Sequence, residues 1–365
     1  MELPSLSDAI VLVLHLCLGR SSSAIVIQST RSIPPHLPQN SRLTAQNFTT
    51  CSSESASMAS PQHLAILKEG VNIWNQWRER NPTHLPNLQD IHLIQHYLRE
   101  VNFNSSHLDR AILTKADLCL ANLERAQLNR TDLTDAILYT ASLRNASLKE
   151  ADLTRADFTE ANLNNADLSL AILQQAQLNR ADLTDAILYT ANLKKADLSN
   201  VQLVRADMRE ADLTMATLGE ANLREANLSF AVGSLARFVG ANLTHATLYR
   251  ANLSLANFCM ANFMAAYLSR ISLIGANLIG ANFYRADLSG ANLTQADLRE
   301  ASLRIANLAH ARLAGANLSM ANLTETTLWK ADLSGANLYQ ANLYQADLKG
   351  AILKGATMPD GSSHL

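Results

Sequence analysis

Aromatic side chains are scarce. They make up 5% of the 365 residues, so alanine and leucine must fill any core. Cysteine is scarcer. Cys17, Cys51, Cys119 and Cys259 lie far apart with no CxxC, which argues against a disulfide framework and against a zinc knuckle. Neither sign of charge is in excess: 30 Lys and Arg stand against 32 Asp and Glu, a net charge of −2. No basic surplus invites nucleic acid, and no acidic surplus imitates it. No apolar run reaches the roughly 18 residues that would cross a bilayer. A Walker loop, a GxGxxG turn and a GxSxG elbow are all missing, so no nucleotide or hydrolase chemistry is announced.

What is present is a repeat. From Leu88 to Met358 the chain runs in fifty-five in-phase blocks of five. Leu occupies 46 of the block centres; six are Phe, two are Met and one is Gly233. Ala stands two places before the centre in 46 blocks, as in Ala116-Asp117-Leu118 and Ala121-Asn122-Leu123. A period of five fits no standard element. At 100° per residue it would scatter Ala and Leu around a helix, and in a flat strand it would alternate the buried face from block to block. It fits a polygon in which each block is one short side and the chain turns between blocks. Ala and the centre then point inward, and stacked coils bond through their backbones about 4.8 Å apart.

The A(D/N)LXX pattern resembles the pentapeptide-repeat family over about three quarters of the chain. That resemblance implies an all-β solenoid: a right-handed quadrilateral β-helix of about fourteen coils, roughly 66 Å long at the strand spacing. The sequence supports four sides independently. With twenty residues per coil, only Asp132 and Asp152 of the 13 Asp before a centre would stack directly. One column would read Asp117, Ile137, Asp157, Gln177, Asp197, keeping carboxylates apart. Another would read Asn222, Asn242, Asn262, Asn282, an amide ladder.

A solenoid needs covered ends. Pro61–Arg80 reads as one capping α-helix, with Ser60 as N-cap and an apolar stripe of Leu64, Leu67, Val71, Trp74 and Trp77; Asn81-Pro82 stops it. The chain therefore divides into an extension over 1–57, a capping helix and linker over 58–85, the β-helix over 86–360 and a short tail over 361–365. The extension is either disordered or a spurious product of the gene boundary. Ala9–Leu18 resembles a signal h-region, but no Lys or Arg precedes it. The stretch from Met58 resembles the start of cyanobacterial pentapeptide-repeat proteins, which makes Met58 the expected natural start. A cytoplasmic location follows; a membrane or lumenal one would require 1–57 to be a genuine targeting segment.

The chemistry-bearing candidates dissolve into the repeat. Carboxylate pairs such as Asp152/Asp157 are generated by the period, and catalysis needs carboxylates whose environments differ. Even Asp132 and Asp152 have Arg130 and Arg155 nearby, which reads as a solvated charge cluster. His92 and His96 have metal-ligand spacing for a helix, but the repeat phase places His92 outward and His96 inward. Ala126–Thr140 and Ala176–Thr190 are near-copies, differing only at Thr131/Ala181. Their offset of two and a half coils puts them on opposite sides, which suggests growth by duplication. Inside, Phe238/Phe258 and Phe263/Phe283 should stack in pairs, with Phe238 partly filling the gap at Gly233.

The strongest departure lies past the middle. Between Ala251 and Tyr284 the only charge is Arg270. Val239, Cys259 and Ile279 should form one outward column, with Leu235, Leu255 and Ile274 on the adjoining side and Met260 and Met264 across the next corner. Exposed apolar patches of several hundred Å² mark interaction sites. The reading is a non-enzymatic protein–protein interaction scaffold. Its partner-binding residues are Leu235, Val239, Leu255, Cys259, Met260, Ile274 and Ile279. It needs no catalytic, metal or cofactor residue and no cofactor. Its partner is an unidentified protein; nucleic acid, a small-molecule substrate and a membrane span are not expected. A second copy is expected to dock, if anywhere, at the C-terminal end, where Trp329, Tyr339 and Tyr344 face outward. The alternative is a DNA-mimicking regulator of a type II topoisomerase. It is disfavoured because 101–360 holds 25 acidic against 23 basic residues.

Overall fold

The computed structural model describes residues 58–365. From Asn87 onward the pairing follows one rule: each block bridges, in parallel, the block twenty residues later, from Asn87↔His107 to Asn337↔Thr357. Four blocks therefore close one coil, and each coil presents four sides. The expected columns form, among them Asp132↔Asp152 and Asp117↔Ile137↔Asp157.

One block shows how the backbone is satisfied. Number its positions −2 (Ala), −1 (Asp or Asn), 0 (Leu), +1 and +2. In the block of Leu118, the centre N–H donates to Ile137 O at 2.7 Å on the next coil. The −1 N–H, on Asp117, donates to His96 O at 2.9 Å on the previous coil. The +2 N–H, on Leu120, reaches Tyr139 O at 3.0 Å. The following Ala121 N–H closes the turn on Leu118 O at 3.0 Å. That leaves the +1 N–H. Asp117 Oδ1 accepts it from Cys119 at 3.1 Å. The same bond recurs at Thr134 N–H to Asp132, Thr159 N–H to Asp157 and Cys259 N–H to Asn257. This is why the repeat favours Asp or Asn at −1: a short side-chain oxygen reaches its own backbone two residues on and completes the block's donor account. The +2 residue takes a left-handed conformation in nearly every block, as at Arg155 (φ 57°) and Leu255 (φ 61°), which turns the chain through each corner.

The core is a column of leucines and alanines with almost no exposure. The phenylalanine pairs stack as expected: Phe238 on Phe258 at 4.5 Å and Phe263 on Phe283 at 4.8 Å between ring centroids. Three finer expectations are corrected. The gap at Gly233 is taken by Leu253 rather than Phe238, for a Cβ there would lie 2.6 Å from Leu253 Cδ2. The asparagine column stacks, but an amide bond links only Asn282 Nδ2 to Asn262 Oδ1, at 3.1 Å. Asn242 Oδ1 is already occupied by Thr244, through both its N–H and its hydroxyl. Arg155 does feel the charge of Asp152, but neither Arg130 nor Arg155 takes its main partner from Asp132 and Asp152. They pair along their corner columns with Glu150 and Asp135, while Asp132 and Asp152 accept turn N–H groups.

Ahead of the coils the structure has two helices where one was expected: α1 (Pro61–Lys68) and α2 (Val71–Arg80). Gly70, at φ 112°, breaks them, because it takes a conformation closed to side-chain-bearing residues. Ser60 stands at the N-cap without a side-chain cap bond. The expected stripe does face the coils, with Leu67 and Trp74 fully buried. The helices also supply hydrogen-bond partners that no earlier coil provides. Trp74 Nε1 donates to Asn102 O at 2.8 Å, and Asn75 Oδ1 accepts the Asn102 N–H at 2.8 Å. His63 Nδ1 accepts the Asn87 N–H at 3.0 Å. At the other end the tail turns back, with Ser363 bridging Thr357 antiparallel. Leu343, Leu348 and Leu353, centres of the last sides, are only partly buried. The segment 1–57, with its targeting reading, lies outside the described residues.

Candidate functional site

The twenty-residue register places the seven singled-out side chains on two neighbouring corners of the coil. Leu235 and Leu255 stand at +2 on one corner, 52% and 57% exposed, with Ile274 at +1 on the same corner one coil further. Val239, Cys259 and Ile279 stack at +1 on the next corner and are half-buried. Their burial follows from the turn, whose +1 N–H groups on Cys259 and Ile279 are held by Asn257 and Asn277. Met260, 65% exposed, continues from that corner. Glycine on the following coil lets two of these side chains lie along the stack. A Cβ on Gly275 would sit 2.9 Å from Leu255 Cδ2, and one on Gly280 would sit 2.5 Å from Met260 Sδ. The side between the two corners carries Arg237, Asn257 and Asn277.

Three exposed apolar residues escaped the sequence reading. Met215 shares the column of Leu235 and Leu255, Phe230 stands on the preceding corner, and Val232 lies on the side between. Two of them carry a signal that could have found them: stepping back twenty residues from Leu235 reaches Met215, and stepping back five reaches Phe230.

The electrostatics of this band differ from those of the coils before it. Earlier corners are laced by bidentate pairs such as Arg110–Asp90, Arg155–Asp135 and Arg205–Asp185. From 226 to 286 the sequence contains no Asp or Glu, only Arg237, Arg250, Arg270 and Arg285. The next longest such gap in the repeat, 301–324, is far shorter.

The remaining chemistry-bearing residues stay apart. Cys119 is buried, and that burial, reinforced by a bond to Asp117, pushes its thiol up to about 11. His92 and His96 sit on successive sides, and His96 Nδ1 lies 2.9 Å from Ile94 O. Among the described residues no group of three or more His, Cys, Asp or Glu is placed to hold a metal ion. Tyr339 and Tyr344 are exposed near the last coil, while Trp329 is covered by His310 and Lys330.

Segments running from 97 to 355 match the family model described as Pentapeptide repeats (8 copies). Among solved structures the chain is similar to HetL, a pentapeptide repeat protein involved in heterocyst differentiation regulation from the cyanobacterium Nostoc sp. strain PCC 7120. The identity is 30%, over 79% of this chain and 98% of that one, with a TM-score of 0.19. It is also similar to QnrB1, a plasmid-mediated fluoroquinolone resistance protein, at 17% identity over 52% of this chain and 92% of that one, with a TM-score of 0.28. A pentapeptide repeat protein of the Arabidopsis thaliana thylakoid lumen matches at 33% identity over 29% of this chain and 63% of that one, with a TM-score of 0.19. No curated protein matches.

Proposed function

The chain belongs to the pentapeptide-repeat family, and on that premise we propose that it is a non-enzymatic scaffold for protein–protein interaction. In this reading a right-handed stack of about fourteen coils over 86–360, capped by α1 and α2 and followed by the tail at 361–365, acts in the cytoplasm as a rigid display. Among the described residues no helix is long and apolar enough to cross a membrane. One observation carries the reading. A backbone-bonded stack holds Leu235, Leu255 and Met260 exposed, beside Val239, Cys259, Ile274 and Ile279, where core filling does not need them. Exposed apolar side chains grouped in this way are the ordinary mark of a contact surface. The partly buried Leu343, Leu348 and Leu353 at the C-terminal coil are the proposed seat of a second copy.

Duplex mimicry needs a face of unpaired negative charge. Here many corner carboxylates are engaged by arginine, as at Asp135, Asp185 and Glu150, so the reading as a topoisomerase regulator gains no support.

The test is affinity capture from native lysate with the parent chain and a Cys259→Asp/Ile279→Asp variant side by side. A partner held by the parent and lost by the folded variant supports the scaffold and its surface. A partner held equally by both removes this surface from consideration.

A further inference from the structure

The acid-free band has a definite layout on the side centred on Val232, Asn252 and Ser272. Across one coil that side reads Phe230, Val232, Leu235. Across the next it reads Arg250, Asn252, Leu255, and across the third Arg270, Ser272, Ile274. Adjacent rows lie one strand spacing apart, about 4.8 Å. All of these but Ser272 are exposed. One edge is thus a phenylalanine followed by two arginines on one corner column, the other edge is aliphatic, and the floor between them runs from Val232 to the small polar Asn252 and Ser272. Arg237 stands just around the aliphatic corner.

Two features mark these arginines. Arg110, Arg155 and Arg205 each meet a carboxylate on the same corner column. Arg250 and Arg270 follow one another on theirs, with Gly290 next, and the band offers no Asp or Glu to neutralise either. Arg250 lies over the Tyr249 ring at 5.3 Å, and Tyr249 meets Phe230 edge-on at 5.6 Å. The guanidinium is therefore held on an aromatic shelf beside the apolar row, with its hydrogen-bonding fork open to a carboxylate. Like charges rooted on neighbouring coils repel one another, which favours an anion bound across both.

We infer that this side receives an acidic segment of a partner protein, one that places two or more carboxylates on Arg250 and Arg270 and an apolar anchor on Leu235 and Leu255. The inference rests on the band being a contact surface and adds the chemistry of what it contacts. Charge complementarity sets the partner's sign, and the aliphatic edge requires side chains that a soluble polyanion lacks.

A random-peptide display library is selected on the full chain and counter-selected on an Arg250→Glu/Arg270→Glu variant. Both positions are exposed corners, so the fold survives the change. Peptides specific to the parent should be rich in Asp and Glu beside Leu, Phe or Trp. Their binding should fall at least tenfold in the charge-reversed variant and in Leu255→Asn, asparagine being tolerated in a left-handed corner. Raising the salt should weaken it further. Selected peptides without excess acidic residues, affinity indifferent to charge reversal, or no selected peptide at all would each overturn the inference. So would binding of phosphatidylglycerol vesicles in place of peptides, which would make the band a membrane contact. If lysate capture still distinguishes Cys259→Asp/Ile279→Asp from the parent while the arginine reversal changes nothing, the scaffold reading stands and this one falls.

Discussion

Arg155 reaches back one full coil to grip Asp135. Nε to Oδ1 is 2.6 Å and Nη2 to Oδ2 is 2.8 Å. Fifty residues on, Arg205 does the same to Asp185, the counterpart of Asp135 in the duplicated segment, at 2.7 and 2.6 Å. The two pairs sit on opposite corners, because two and a half coils separate them. Each Asp is held below the ordinary carboxylate range, first by its bond to arginine. A depressed folded-state pKa gives stability that is present above the unfolded value and lost as pH falls through the folded one.

These pairs are exposed, so their weight is small and salt-dependent. Arg155→Ala should lower the melting temperature only slightly at low ionic strength, and not measurably at about 0.5 M salt. Scanning calorimetry at the two salt concentrations decides it. A large, salt-independent loss would mean that the pair holds the corner rather than decorating it.

Low pH should loosen the N-terminal helices before it disturbs the coils. His63 is nearly buried, accepts the Asn87 N–H and faces His84, Trp77 and the buried Arg78. Its pKa is lowered from 6.5, chiefly by burial, with the charges of His84 and Arg78 adding to that. The neutral ring is thus the folded form. Its contribution is complete above 6.5 and is lost as pH falls through the lower folded value. Hydrogen exchange at Asn87 and the Trp74 indole should accelerate over that window. His63→Asn, whose side-chain oxygen does not titrate, should flatten the profile.

Asp157 tests why the repeat favours Asp or Asn before each centre. Its Oδ1 accepts the Thr159 N–H at 2.9 Å. Asparagine offers the same carbonyl oxygen, so Asp157→Asn should be close to neutral. Asp157→Ala should cost about 0.5–1.5 kcal/mol. Equal behaviour of the two variants in denaturant titration would show that the turn N–H is satisfied by water instead.

Phe258 stacks on Phe238 and touches Phe263 at 5.1 Å. Phe258→Ala should cost about 3–5 kcal/mol. Because a solenoid couples mainly neighbouring coils, the loss should be local. Exchange protection should fall around 238–283 and persist near 118. Uniform loss along the stack would argue for one cooperative unit.

Much of this molecule is written in one dimension. The block of five, its phase from Leu88 to Met358 and the inward Ala and Leu follow from spacing, because each side is short enough for its own sequence to set which way it faces. The stacked phenylalanines and the column holding Val239, Cys259 and Ile279 follow from adding a twenty-residue coil. Other features had to be seen in three dimensions. Gly70 splits the N-terminal helix with a torsion of φ 112°, and α2 sets Trp74 edge-on to Phe103, neither of which helical periodicity encodes. Arg130 and Arg155 take corner partners ahead of Asp132 and Asp152, each of which has one oxygen engaged by the N–H two residues on. The grouping of Phe230 and Val232 with Leu235, and of Arg250 with Arg270, depends on which residues meet across a corner and between coils. The repeating unit is legible in the residues alone, since hydrophobic spacing acts within a few residues; which side chains become neighbours emerges only in the folded coil, since that depends on how the chain closes each turn upon the last.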